Sequence, residues 1–237
     1  MPLVISNGKT IFFAHVPKTG GSSVEDYLIR RFGPLSIREP AKLATARRRD
    51  VLVAATHLSA TDLERLLPPG LDYSFAFVRD PVARIVSEYR FQAGASQASR
   101  LGFSTWLRVM LAAAARDPRI YENHIRPQAD LVPVGAEVFR LEAGFAEMVS
   151  RLDAVTGTTA PGMEVRHLLK REKAPLVLRR QDVARIVAFY RLDYERFGYP
   201  RPDPAAFPDD PLSLGRDLVS AALAPLVVGR HHRRWLR

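Results

Sequence analysis

The chain has 237 residues, 47% of them apolar and 25% charged, which suits one α/β domain with a sizeable core and excludes a wholly disordered protein. Cysteine is absent, so disulfides, thiolate metal ligands and cysteine nucleophiles are excluded. Lys and Arg total 35 against 25 Asp and Glu, a formal net charge of +10 that suits an anionic partner but leaves open a nucleic acid, a small anion or a merely soluble basic protein. No stretch approaches the roughly 18 uninterrupted apolar residues of a membrane span, and Ser6-Asn7-Gly8-Lys9 near the start is no signal-peptide pattern, so a soluble, cytoplasmic protein is expected.

In chain order, Thr10 to His15 is short, aromatic and branched and stops at Pro17 and the Gly20-Gly21 pair, the pattern of a buried strand. Ser22 and Ser23 then precede Val24, Tyr27, Leu28 and Phe32, an apolar helical stripe with a serine N-cap and Glu25-Asp26 in its first turn. Val51 to Ala55 reads as a second buried strand leading to Thr56-His57, with a short helix from about Thr61. A third strand, Tyr73 to Val78, runs into Arg79-Asp80-Pro81 and a helix carrying Val82, Ile85, Val86 and Tyr89. Beyond it come a helix over 103 to 115, an irregular connection from Asp117 to Pro133, a strand over Glu137 to Leu141 and a helix to about Val155. Further helices fit Arg180 to Tyr190 and on toward Phe197. Strands alternating with amphipathic helices predict a three-layer α/β/α fold around a central parallel sheet. Five prolines between Pro200 and Pro211 read as a linker, followed by an apolar helical stretch from Leu212 to Val228, broken by Pro225, and a basic tail.

The loop His15-Val-Pro-Lys-Thr-Gly-Gly-Ser-Ser23 has the features of an anion cradle: small residues, amide groups at a helix start and a lysine. The competing reading is a capped strand-to-helix turn with Lys18 merely solvated. Lys18 precedes the glycines and no Gly-Lys-Ser pair exists, so an ordinary ATPase or GTPase is disfavoured.

Pro17-Lys18-Thr19-Gly20-Gly21-Ser22-Ser23 after an aromatic strand resembles the 5′-phosphosulfate loop of sulfotransferases that use 3′-phosphoadenosine 5′-phosphosulfate. With His15-Val16 before it, the loop is similar to that of the carbohydrate enzymes of heparan and chondroitin type. Phe75 to Pro81, continuing through Arg84 to Ser87, resembles the family's 3′-phosphate motif, in which an arginine ending the strand and a serine eight residues later hold the phosphate. An arginine offers a planar fork for phosphate, and a serine about two helical turns in adds a hydroxyl. The resemblance covers roughly residues 10 to 199, with echoes at Thr56-His57-Leu58, Asn123-His124 to Pro127-Gln128, Phe139 to Glu142, and Tyr190 through Asp193-Tyr194 to Tyr199. It departs at Leu168 to Arg171, where many relatives carry an Asn-x-Ser type segment.

The resemblance implies a P-loop-like sulfotransferase domain over residues 1–200, followed by the linker and basic tail of 201–237. It implies sulfuryl transfer from 3′-phosphoadenosine 5′-phosphosulfate, as cosubstrate and without a metal, to a hydroxyl of a carbohydrate or glycosylated metabolite. Lys18, Thr19, Gly20, Gly21, Ser22, Ser23, Arg79 and Ser87 would bind the donor, with Lys18 and His57 as the catalytic pair. For His57 the alternative is a local hydrogen bond, for His15 a structural role is expected, and His124 is an acceptor-side candidate. His167, His231 and His232 lack metal-ligand spacing. No nucleic-acid partner is expected, and the tail allows a weak membrane-surface contact. The rivals are a P-loop nucleotide or small-molecule kinase, which needs a Walker lysine and a magnesium carboxylate, and a nonenzymatic basic binder of nucleic acid or membrane surface, which leaves the two motifs without a reason.

Overall fold

β1 (Leu3–Ser6) turns back on itself at Asn7 and Gly8, whose φ values of 47° and 74° are the left-handed pair of a two-residue hairpin turn, and returns as the antiparallel β2 (Lys9–Ala14). β2 pairs in parallel with β3 (Tyr73–Val78), and β3 in parallel with β4 (Glu137–Arg140), so the sheet order is β1-β2-β3-β4. The computed structural model describes residues 2–35, 57–66, 70–95, 101–168 and 175–236. These fall into two compact units, one holding the described residues of 1–79 and 130–171, the other those of 80–129 and 172–237. The expected strand at Val51 to Ala55 lies outside the described residues.

In the first unit the sheet is accompanied by α1 (Gly21–Phe32), α2 (Ala60–Leu66) and α5 (Ala146–Thr156). Strand periodicity of two puts Ile11, Phe13, Phe75, Phe77 and Phe139 into one cluster with Val24, Tyr27 and Leu28 of α1 and Met148 and Leu152 of α5. Phe13 and Phe75 stack at 5.0 Å between centroids, and Phe77 packs on Phe145 at 5.2 Å. Phe12, Ala14, Ala76 and Val78, which alternate with that set, are buried as well, as the strands of a doubly covered parallel sheet must be. The expected α/β class is borne out, with one correction to an all-parallel sheet: β1 adds an antiparallel strand through a hairpin too short for any crossover.

The second unit is helical: α3 (Pro81–Ala95), α4 (Phe103–Arg116), α6 (Arg180–Phe189), α7 (Arg191–Phe197) and α8 (Ser213–Leu236). Trp106 and Phe103 of α4 pack on Tyr89 of α3. α8 lies along α4, and its Ala224 is fully buried. Two expectations change here. The helix runs on through Pro225 instead of breaking there. The proline-rich stretch is not a free linker: its Asp210 is 5% exposed and holds the buried Arg108 at 2.9 Å, because a charge as deeply placed as that guanidinium requires counter-charges from several segments.

Candidate active site

At the end of β2 the chain winds tightly into α1. Lys18, half-buried, adopts a left-handed φ of 67°, and Gly20 follows at 86°, two such residues within three. Thr19 is fully buried and its hydroxyl donates to the Val16 carbonyl at 2.9 Å, so its side chain shapes the loop from within. The expected serine N-cap is not formed: Gly20 is the N-cap, with no side-chain hydrogen bond, because its left-handed backbone already turns the chain into the helix. Ser22 is exposed, whereas Ser23 is buried and its hydroxyl accepts the Leu168 amide at 3.0 Å. The Ser23 amide donates to the Gly20 carbonyl at 2.9 Å, whereas helix geometry leaves the amides of Gly21 and Ser22 without an intrahelical acceptor, and with the positive end of a 12-residue helix these can receive an anion.

The two glycines leave room for the protein beneath the loop. A Cβ on Gly21 would sit 2.1 Å from Nε2 of His15, and one on Gly20 would sit 2.9 Å from Leu141. Their missing side chains let His15 and Leu141 pack under the loop.

His15 is buried, and its Nδ1 faces Oε1 of Glu25 at 2.6 Å. Glu25 and Asp26, expected in the first turn of the helix, lie beyond it because α1 already starts at Gly21; Glu25 is turned inward, and Asp26 pairs with Arg30 at 2.9 Å. The His15 carbonyl faces Nδ1 of His57 at 3.1 Å, and the two rings meet edge to face at 4.7 Å. A carbonyl oxygen only accepts, so Nδ1 of His57 carries hydrogen and the neutral imidazole has its lone pair on Nε2. The Arg79 guanidinium, at the end of β3, donates to the Lys18 carbonyl at 3.4 Å. Lys18, Arg79, His15 and His57 are therefore brought together in one unit around one loop. The Glu25 contact is the part that sequence reasoning missed; its only trace is the four-residue helical step from Gly21, which sets Glu25 on the same side of α1 as the residue His15 abuts.

In the second unit, Ser87 is a half-buried residue of α3. Asp80 accepts the Ala83 amide at 2.8 Å and so caps α3, and Glu88, 1% exposed, faces Nδ1 of His124 at 2.8 Å and accepts Nε2 of Gln92 at 2.7 Å. Both carboxylates thus tie down local structure. The echoes of the resemblance converge here as well. Arg84 donates to the carbonyls of His124 and Arg126 and lies over the Tyr190 ring, whose hydroxyl donates to the Ile125 carbonyl at 2.7 Å. Asp193 accepts the amides of Gln128 at 3.0 Å and Ala129 at 2.8 Å; burial raises its carboxyl above the ordinary value, against the pull of Arg84 and those amides. Tyr121, Glu122 and Asn123, all with left-handed φ, form the tight turn before His124.

Among the described residues no group of three or more His, Asp or Glu is arranged to hold a metal ion, and no helix is long and apolar enough to cross a membrane. A family model described as the sulfotransferase family matches residues 1–200 of the chain. No curated protein and no solved structure matches it.

Proposed function

The chain belongs to the sulfotransferase family, and from that premise we propose that it moves a sulfuryl group from 3′-phosphoadenosine 5′-phosphosulfate to a hydroxyl of a carbohydrate or glycosylated metabolite. The observation that carries this reading is the loop of Lys18 to Gly21: two left-handed residues at a helix start, packed from below by His15, with Arg79 on the Lys18 carbonyl. That arrangement offers amides and a cationic side chain to a phosphosulfate, which is the chemistry the donor set must supply.

The residues divide the work. Lys18, the amides of Thr19 to Ser22 and the positive end of α1 hold the 5′-phosphosulfate, and Arg79 and Ser87 recognise the 3′-phosphate. As the new bond forms between the acceptor oxygen and sulfur, the bond from sulfur to the bridging phosphate oxygen breaks. Lys18 stabilises the negative charge that develops on that leaving oxygen. The acceptor's proton passes to Nε2 of His57, the nitrogen that carries the lone pair of the neutral ring when Nδ1 donates to the His15 carbonyl. Glu25 acts one step further back, fixing the His15 ring under the loop. Most of the rate enhancement comes from alignment and charge stabilisation.

Titration calorimetry with adenosine 3′,5′-bisphosphate and adenosine 5′-monophosphate tests this reading. The bisphosphate should bind more tightly by about one to two orders of magnitude, a difference that Arg79→Ala removes. Equal affinities in the parent chain would overturn the assignment of the 3′-phosphate site.

A further inference from the structure

The last helix is amphipathic in reverse. Its inner face carries the polar anchors: Asp217 pairs with Arg108 at 3.0 Å and with Arg185 at 2.7 Å, and Arg216 pairs with Asp210 at 3.4 Å. Its outer face carries the large apolar side chains, with Leu214 76%, Leu218 67%, Val219 42% and Leu226 62% exposed. The row 214, 218, 222, 226, 230, spaced four apart and so aligned along one side, reads Leu, Leu, Ala, Leu, Arg. All of its members are exposed, as is Arg233 one turn beyond. From 214 to 229 the stripe runs roughly 22 Å at 1.5 Å per residue without a charged side chain on its exposed positions.

We propose that this face of α8 binds the surface of an anionic lipid bilayer, with Leu214, Leu218, Val219 and Leu226 entering the acyl boundary and Arg230 and Arg233 pairing with acidic headgroups. Scattered apolar residues on a surface need no explanation, but a continuous apolar stripe that ends in exposed arginines does. The charge decides which partner fits. A second copy of a chain with a formal net charge of +10 is repelled, whereas an anionic membrane attracts the whole molecule and the basic end of α8 in particular. No helix among the described residues is long and apolar enough to span, so the geometry is that of a helix lying in the interface. Anchoring through Asp217, Arg216 and Asp210 on the inner side holds the leucines outward with no need for the helix to unfold or flip.

The test is sedimentation of the full chain with phosphatidylcholine vesicles and with phosphatidylcholine vesicles containing phosphatidylserine. The parent chain should bind the phosphatidylserine vesicles and leave the neutral ones largely alone. Leu214→Glu with Leu218→Glu should weaken that binding roughly tenfold or more, and Arg230→Glu with Arg233→Glu should do the same, the parent's binding falling as salt is raised. All four positions are exposed, so both double variants should melt with the parent and bind adenosine 3′,5′-bisphosphate equally well, a readout that keeps this result separate from the donor-site assignment. Absence of binding to the phosphatidylserine vesicles would overturn the proposal. So would binding indifferent to the leucine pair, which would assign the attraction to charge alone, or a parent dimer that Leu218→Glu dissociates in size-exclusion chromatography, which would assign the face to a second copy.

Discussion

Nδ1 of His57 donates to the main-chain carbonyl of His15 across 3.1 Å, so one histidine's backbone sets the tautomer of the other's side chain. The two imidazoles then differ in what they can do. His15 has Nδ1 against Glu25 at 2.6 Å and its Nε2 edge against the Cα of Gly21, where even a methyl group would overlap it. His57 has Nδ1 committed and its basic lone pair on the opposite nitrogen.

His57 is therefore expected to be the base. Replacing it by Ala or Asn should lower turnover by about 10²- to 10⁴-fold while adenosine 3′,5′-bisphosphate affinity stays near that of the parent, since a general base acts on the acceptor. Steady-state kinetics and titration calorimetry check both; a variant that keeps the rate would pass the role to another group, with Glu142 or His124 the next residues to test.

Gly21→Ala should be far more damaging than an ordinary helix substitution. Alanine is the better helix former, yet its Cβ would fall 2.1 Å from a ring nitrogen and 2.2 Å from a ring carbon of His15. The ring cannot retreat without breaking its Glu25 contact, so a loss of roughly 1 to 3 kcal/mol is expected. The double variant Gly21→Ala, His15→Ala should recover part of it, a non-additivity that chemical denaturation would read directly. Additive losses would show that the overlap is not what limits Gly21.

Sequence patterns located the elements wherever local periodicity dominates: β3, α3, α4 and α5 stand where the apolar spacing puts them. The patterns failed where the deciding partner is distant or the signal is very short. The Asn7-Gly8 pair is a hairpin signal on its own, but Leu3 to Ser6 is only four residues long, too few for alternation to register. Glu25 looked like a first-turn acid and is a buried partner of His15; nothing in the spacing from residue 15 to 25 requires that, because it depends on how β2 and α1 fold against each other. Lys18 and Gly20 were legible as loop residues, while the left-handed backbone that defines the cradle was not. Ser22 and Ser23 read as caps on composition, and Gly20 supplanted them because a left-handed glycine makes the turn unaided.

Acid should loosen the end of α8. Asp117, 4% exposed, receives Arg119 at 2.8 Å and His232 of α8 at 2.7 Å. Burial works to raise its carboxyl, but the hydrogen bonds from Arg119 and His232 outweigh burial and hold it well below the usual carboxylate range. A depressed folded value means that the stabilisation is fully present above the ordinary carboxylate value of about 3.9 and is lost as pH falls below it toward the folded value. Asp117→Asn should therefore cost most in melts near neutral pH and progressively less in strong acid. A cost independent of pH would remove the charge from the explanation.

The terminal segment should prove inseparable from the second unit. Arg108, with a side chain 1% exposed, is met at 2.8 Å by Asp182, at 2.9 Å by Asp210 and at 3.0 Å by Asp217, and its Nη2 also donates to Ser213 at 3.1 Å. A chain ending at Pro200 keeps Asp182 alone, strips Ala224 from α4, and leaves a buried guanidinium short of two carboxylates. Removing one partner of a buried ion pair costs about 3 to 5 kcal/mol, so Asp210→Ala by itself should lower stability by that order in urea unfolding. The truncated chain should aggregate or unfold where the full chain is stable, even though it retains every residue assigned to the donor and the base. A truncated chain that melts cooperatively near the parent temperature would instead show that α4 and Arg108 find cover without α8.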